Sequence, residues 1–243
     1  MVEPRRTRSN GAASRERILD AASEIAGERG YEGTTINLIS ERSGLPASSI
    51  YWHFTGKDEL IAAVIDRSFS QWMAELDTPV AVPDGASAEA MFHLAMRRTG
   101  AAISASPDFL RLGLMLILER RPEEPTARTK FLDVRAAAAA RSRDVYAVLF
   151  DDLRPVEIDA LVTLTMALAD GLFVASEVDE VDLGESFDLL ATAVLGAVDR
   201  MRATRPPAPH HRAGRAGDRA ASPAEGATGA KAPGSRRGRA RSR

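Results

Sequence analysis

Between residues 15 and 54, apolar side chains return at three- and four-residue spacing in three short runs, and glycine or proline punctuates the gaps between them. Ile18, Ala21, Ala22, Ile25 and Ala26 form one stripe of a helix predicted over 15–29, with Ser14 as its N-cap and Gly30 at its end. Thr35 caps a second short helix that turns Ile36 and Ile39 inward before Gly44 stops it. Pro46 suits the start of a third helix running through Phe54. Thr55 and Gly56 then break the chain before a fourth helix predicted over 57–76. This is a compact three-helix unit with a connecting fourth helix.

The remainder is helical too. Residues 78–87, TPVAVPDGAS, have the composition of a linker. Longer helices are predicted over 88–104, 107–120, 126–151, 156–178 and 184–203, punctuated by Pro107, Pro122, Pro125 and Pro155. Nothing alternates with period two for long enough to make a strand, so the expected class is all-α with about nine helices. The expected divisions are a basic arm (1–14), the three-helix unit (15–60), a larger bundle (61–203), and a tail (204–243) whose Pro, Gly, Ala and Arg content predicts disorder.

Composition narrows the setting. There is no cysteine, which excludes disulfides and thiolate zinc sites and fits a reducing compartment. No apolar run approaches the roughly 20 residues that cross a bilayer, and the basic start lacks the apolar segment of a secretory signal. A cytoplasmic protein with no membrane partner is expected. The net charge of −2 conceals an asymmetry: residues 204–243 carry +8, residues 1–17 carry +3, and the body between them therefore carries −13. Such a chain would grip a polyanion at its ends while its body repels it; the alternative is that the charged tails only aid solubility.

Short helix, glycine-containing turn, short helix is the helix-turn-helix arrangement, which holds its second helix where it can enter a major groove. At about 100° per residue, Ile50 and Phe54 fall on the inward side of that helix, and Ser48, Ser49 and Trp52 fall opposite. Tyr51 and His53 flank the outward face, toward the phosphate walls of a groove.

The stretch GLPASSIYWHFTGKDEL, residues 44–60, resembles the signature of the TetR family of bacterial transcriptional regulators, and residues 15–44 resemble that family's first two helices. Further on, only the helix order and ALADGLF, residues 167–173, are similar. The resemblance implies phosphate contacts at Thr35, Tyr51 and Lys57. It implies groove-facing positions at Ala47, Ser48, Ser49, Trp52 and His53. Lys57 also begins a helix, whose N–H groups can join its charge at a phosphate. The usual Ser or Thr at the start of the recognition helix is Pro46 here, and Ala47 replaces a residue that is often polar or basic. Base readout then rests on Ser48, Ser49 and the Trp52 ring against thymine methyls.

One difficulty is electrostatic. Residues 1–60 hold eight Lys or Arg against nine Asp or Glu, and the recognition helix holds no Lys, Arg, Asp or Glu. Counterion release by cations supplies much of any DNA affinity, so Arg5, Arg6, Arg8 and Arg15, with Arg17, are expected to track the DNA backbone.

Reading a palindrome needs two copies at fixed spacing, and the last two long helices are the natural dimer face. Leu161, Leu164, Leu168 and Leu172 line one helix; Leu190, Val194, Ala197, Val198 and Met201 line the other. Some of these residues must also serve the chain's own core. The resemblance implies a homodimer through a four-helix bundle, and a small-molecule pocket in the middle helices whose filling releases DNA. Candidate lining residues are Phe92, Met96, Phe109, Leu112, Met115, Tyr146, Met166 and Phe173, with His93, Arg111 or Thr165 as polar orienters, although Met and Phe at this spacing also read as plain core.

Four histidines, and no Gly-rich phosphate loop with lysine, His-Glu metal motif or nucleophile elbow, argue against an enzyme. No cofactor or metal is implied. The expected function is a repressor that binds a palindromic operator on double-stranded DNA and is released by an unidentified effector. The alternatives are a non-specific architectural DNA-binding protein and an activator of the same family without a ligand.

Overall fold

A computed structural model describes residues 5–79, 85–118 and 126–204, with side chains from Asn10 onward. These residues form helices and no strand. The helices are α1 (Arg5–Gly33), α2 (Ile36–Ser43), α3 (Ala47–His53), α4 (Lys57–Asp77), α5 (Ala88–Ala105), α6 (Asp108–Leu118), α7 (Thr126–Leu149), α8 (Pro155–Val178) and α9 (Leu183–Ala203). The all-α expectation and the helix order hold. The linker's 80–84 and the whole tail from 205 lie outside the described residues.

α1 departs from its predicted start. Ser14 sits inside the helix rather than capping it: its hydroxyl bonds back to the Gly11 carbonyl at 2.9 Å. The helix instead runs back to Arg5. At its other end, Gly30 takes the left-handed φ of 70° and kinks the helix, and the Thr34 hydroxyl closes on the Gly30 carbonyl at 2.8 Å.

α2 and α3 form as their caps direct. Thr35 accepts the Leu38 N–H at 3.3 Å, and Gly44 turns the chain at φ 65°. The tight connection is held by Ser40 on the Leu45 carbonyl (2.7 Å) and by Arg17 on the Ser43 carbonyl (2.5 Å). Pro46 stands at the N-cap with no side chain to offer the helix, so α3 depends on tertiary anchoring. Ile50 and Phe54 supply it, buried in one core with Ile18, Ile25, Ile39 and Leu60.

In the larger bundle α4 packs on α5, α6 and α7, α8 on α7 and α9, and α5 on α9, while α1 reaches both α4 and α6. Two glycines set close approaches. A Cβ on Gly100 would lie 2.3 Å from the Leu183 carbonyl oxygen, and one on Gly113 would lie 2.0 Å from the Phe131 ring.

α8 corrects one expectation from the sequence, since by length and composition it is apolar enough to cross a membrane. It is apolar on two sides. Ile158, Leu161, Val162 and Phe173 enter the core, while Val156, Val174 and Val178 face outward. Asp170 on this helix takes a two-pronged ion pair from Arg135 of α7, at 2.8 and 2.5 Å, which marks α8 as a bundle helix.

Candidate nucleic-acid interface

α3 presents an exposed face over a buried one. Trp52 is 75% exposed and Tyr51 58%, with Ser48 exposed beside them, while Ala47 and Ser49 are partly covered. A seven-residue helix bearing an exposed indole is held up because Ile50 and Phe54 beneath it are fixed.

His53 does not flank this face freely. Its Nε2 lies 3.1 Å from the Ser14 hydroxyl, and its ring meets Trp52 edge-on at 4.5 Å. Ser14 already donates to Gly11, so the imidazole N–H is the donor between them. Burial, then nearby Arg15, holds the ring below the ordinary histidine value of 6.5, which favours its neutral form.

The extended α1 passes directly beside the reading helix. A Cβ on Gly11 would stand 3.7 Å from the Trp52 ring, so backbone and indole are in contact range there. The Arg15 guanidinium lies over the Phe54 ring at 5.4 Å. Sequence reasoning missed Gly11 and Ser14 because the apolar period of α1 begins only at Ile18. Arg5, Arg6 and Arg8 lie on the α1 backbone, and their side chains fall outside the described residues.

Thr35 is exposed, and its hydroxyl keeps a proton to donate after capping α2. Lys57 opens α4 but is partly engaged within the chain. Its ammonium donates to the Tyr31 carbonyl at 3.1 Å, sits 4.3 Å from the Tyr31 ring centroid, and lies 3.7 Å from Glu32. Tyr31 therefore seats the lysine, a role that no spacing in the sequence announced.

The surplus of acid is settled locally. Glu16, Asp20, Glu24 and Glu28 recur every four residues along α1. Arg67 bridges the first two at 3.1 and 2.7 Å, and Arg42 bridges the last two at 3.1 Å or less. Four acids of the reading unit thus meet cations of their own chain.

Within the bundle lies a cavity of about 600 Å³. Six of the predicted lining residues border it: Phe92, Met96, Phe109, Tyr146, Thr165 and Met166. The other five do not. His93 turns outward to Asp188 of α9 at 3.0 Å, Leu112 and Phe173 are buried in core packing, and Met115 folds over Gly30 of α1. Arg111 is likewise committed elsewhere, to Glu177 at 2.8 Å. Trp72 and Leu76 of α4 line the cavity and went unforeseen.

The predicted dimer face divides. Leu161, Leu190, Val194 and Val198 are buried within this chain, which corrects their assignment to an open face, while Leu168, Leu172, Ala197 and Met201 are half-buried. What α8 and α9 expose is the neighbouring stripe, including Leu164, Gly171, Val174, Leu189 and Gly196. A Cβ on either glycine would meet nothing within 4 Å.

Comparison with known proteins places this geometry. The family model described as "Bacterial regulatory proteins, tetR family" matches residues 18–64. The chain is 39% identical over 62 residues to the HTH-type transcriptional regulator TtgR of Pseudomonas putida, across 26% of this chain and 30% of that one. It spans less than half the length of the first curated relatives it matches. Among solved structures, a transcriptional regulator from Rhodococcus sp. Rha1 superposes with a TM-score of 0.58 at 19% identity, over 75% of this chain and 96% of that one. SmeT, the repressor of the Stenotrophomonas maltophilia multidrug efflux pump SmeDEF, gives 0.55 at 21% identity, over 75% and 89%. These likenesses carry the fold beyond residue 64. The helix-turn-helix with its outward aromatic face, and the match across residues 18–64, show that residues 18–64 are a helix-turn-helix domain of the tetR family of bacterial regulatory proteins.

Proposed function

We propose that this protein is a cytoplasmic repressor that binds a palindromic operator as a homodimer and leaves it when a small molecule fills the bundle cavity. The observation that carries this reading is the outward face of α3, where Ser48, Tyr51 and Trp52 stand exposed over the buried Ile50 and Phe54. In this reading Ser48, Ser49 and Trp52 read base edges, with Ala47 beside them. Tyr51, Thr35 and the α4 start at Lys57 meet phosphates, and the arm arginines Arg5, Arg6, Arg8 and Arg15 track the backbone. The exposed stripe on α8 and α9 joins two copies, and the cavity residues Phe92, Met96, Phe109, Tyr146, Thr165 and Met166 meet the effector.

Binding of the full chain to a palindrome from upstream of its own or adjacent genes, against random DNA at matched salt, tests the reading. The palindrome is expected to bind about a thousandfold tighter. Trp52→Ala should weaken palindrome binding about tenfold while leaving random-DNA binding and thermal stability nearly unchanged. Equal affinity for both DNAs would overturn the sequence-reading role and favour an architectural protein.

A further inference from the structure

Two arginines meet at the last turn of α4, where it borders the cavity. Arg98 of α5 donates through Nη2 to the carbonyl oxygens of Glu75 and Thr78, at 2.8 Å each. Arg141 of α7 pairs with Asp77 at 2.8 Å. Both arginines line the cavity, beside Leu76. The unpaired carbonyls at a helix end attract a cation, which accounts for where Arg98 points. They do not neutralise its charge. Arg98 is half-buried, and no carboxylate among the described residues pairs with it. A guanidinium has five N–H groups, and those on Nε and Nη1 find no acceptor among the described residues.

The other polar groups of the lining point to the same place. Thr99 and Ser142 donate back to the carbonyls of Ala95 and Ala138, at 2.9 and 3.0 Å. Thr165 donates to the Leu161 carbonyl at 2.9 Å, so the phenol is the donor in the 2.7 Å contact between Tyr146 and Thr165. Each of these hydroxyls has its proton in use, and the Trp72 indole N–H is closed to solvent. Guanidinium N–H groups are therefore what the described lining side chains offer to an acceptor on a ligand. Two carboxylates line the cavity as well. Asp170 is held by Arg135 at 2.8 and 2.5 Å, and Asp144 is exposed, where water and salt screen it. A half-buried charge without a counter-charge gains more from a partner than an exposed one does, so Arg98 outranks Asp144 as the anchor for a charged ligand. Apolar surface makes up most of the remainder and continues to the rim, where Val145 and Val148 are exposed.

We infer that the cavity takes an apolar molecule with an anionic head, of the class of a medium- or long-chain carboxylic acid, and that the Arg98 guanidinium binds the head at the α4 end. A volume of about 600 Å³ holds the apolar body of such a molecule. The inference rests on the reading of this cavity as the effector site.

Three probes of one chain length test it: a dansyl-labelled undecanoate, the same chain ending in a primary amide, and the same chain ending in an ammonium. Binding to the full chain at neutral pH is followed by dansyl fluorescence and calorimetry, at concentrations where the probes do not form micelles. The carboxylate is expected to bind about tenfold tighter than either analogue. Arg98→Gln removes the charge but keeps an N–H donor for the α4 carbonyls. It should bring the carboxylate to the level of the amide and leave the amide within about twofold. Arg98→Lys restores the charge without the planar fork and should recover a preference of about threefold. If Arg98→Gln weakens the amide by more than that while the preference is lost, Arg98→Lys decides, and its failure to prefer the carboxylate would overturn the inference. An ammonium or amide that binds the wild type as tightly as the carboxylate, a preference that survives Arg98→Gln, or no binding by any probe would each overturn it too. Operator release by the carboxylate is measured alongside. Binding with the expected preference but without release supports the cavity chemistry and removes the effector role, whereas release without the preference removes the chemistry alone.

Discussion

Trp52 and His53 are neighbours on α3, yet the fold uses them in opposite directions. The helical wheel already separated the buried Ile50 and Phe54 from the outward Trp52, because both sides of that distinction are local to seven residues. His53 was not legible in the same way. Its environment comes from Ser14 and Arg15, thirty-eight or more positions away in sequence, on a part of α1 with no apolar period. Burial and Arg15 favour the neutral ring in the folded state, so the folded value lies below that of the unfolded chain. The stability this contributes is whole above the ordinary value of 6.5 and is lost as pH falls through the lower, folded value. Urea unfolding of the wild type and His53→Gln should therefore agree in slope above neutrality and separate as the pH is lowered, with the wild type losing more. The ring is part-exposed and screened, so the separation is small. Parallel pH curves would show that His53 titrates as in the unfolded chain.

At the scale of helices, most boundaries followed from caps and breakers, as the Thr35 cap and the Gly44 turn show. The contacts between helices did not. Asp58, in the first turn of α4, accepts the N–H groups of Thr126 and Ala127 at 2.6 and 3.1 Å and the Tyr31 hydroxyl at 3.0 Å. One carboxylate thus caps α7 and ties it to the end of α1, with Tyr31 also holding Lys57. Burial raises the Asp58 value, and the hydrogen bonds from Ala127, Thr126 and Tyr31 outweigh it, leaving the group below its ordinary 3.8. Its contribution is accordingly present above that value and lost as pH falls below it. A sequence reader sees Asp58 only as an acid at a helix start, because its partner helix begins 68 residues later. Asp58→Ala is expected to cost about 1 kcal/mol of unfolding free energy at neutral pH, the usual worth of an N-cap. Amide exchange at Thr126 and Ala127 should quicken, while the α3 amides stay as they are. Unchanged exchange at those two amides would remove Asp58 from the capping role.

For the whole molecule, the same limit decides what the cavity and the dimer face disclosed beforehand. Periodicity marks the buried side of a helix, but it does not say which buried residues border empty space or which serve a second chain. Trp72 was therefore missed, and Leu161, Leu190, Val194 and Val198 were placed on a face they do not reach. The face that α8 does expose has a regular pattern: Val156, Ala160, Leu164, Ala167, Gly171, Val174 and Val178 succeed one another by three or four residues. Leu189, Ala193 and Gly196 continue an outward stripe on α9. A contiguous apolar stripe of this kind is unusual on a monomer, and its small residues let facing helices approach closely about a two-fold axis. The proposed homodimer then predicts a contrast between neighbours on α8. Leu164→Glu with Val174→Glu, at sites 36% and 51% exposed, should leave the chain folded but sedimenting at the monomer mass, where the wild type sediments at twice that mass. Palindrome affinity should fall to that of a single half-site. Leu161→Ala, at a site with no exposure, should instead cost about 2–5 kcal/mol of stability and leave the folded fraction dimeric. A double variant that still sediments as a dimer would move the interface off this stripe, and a wild type that sediments as a monomer would remove the palindrome from the proposed function.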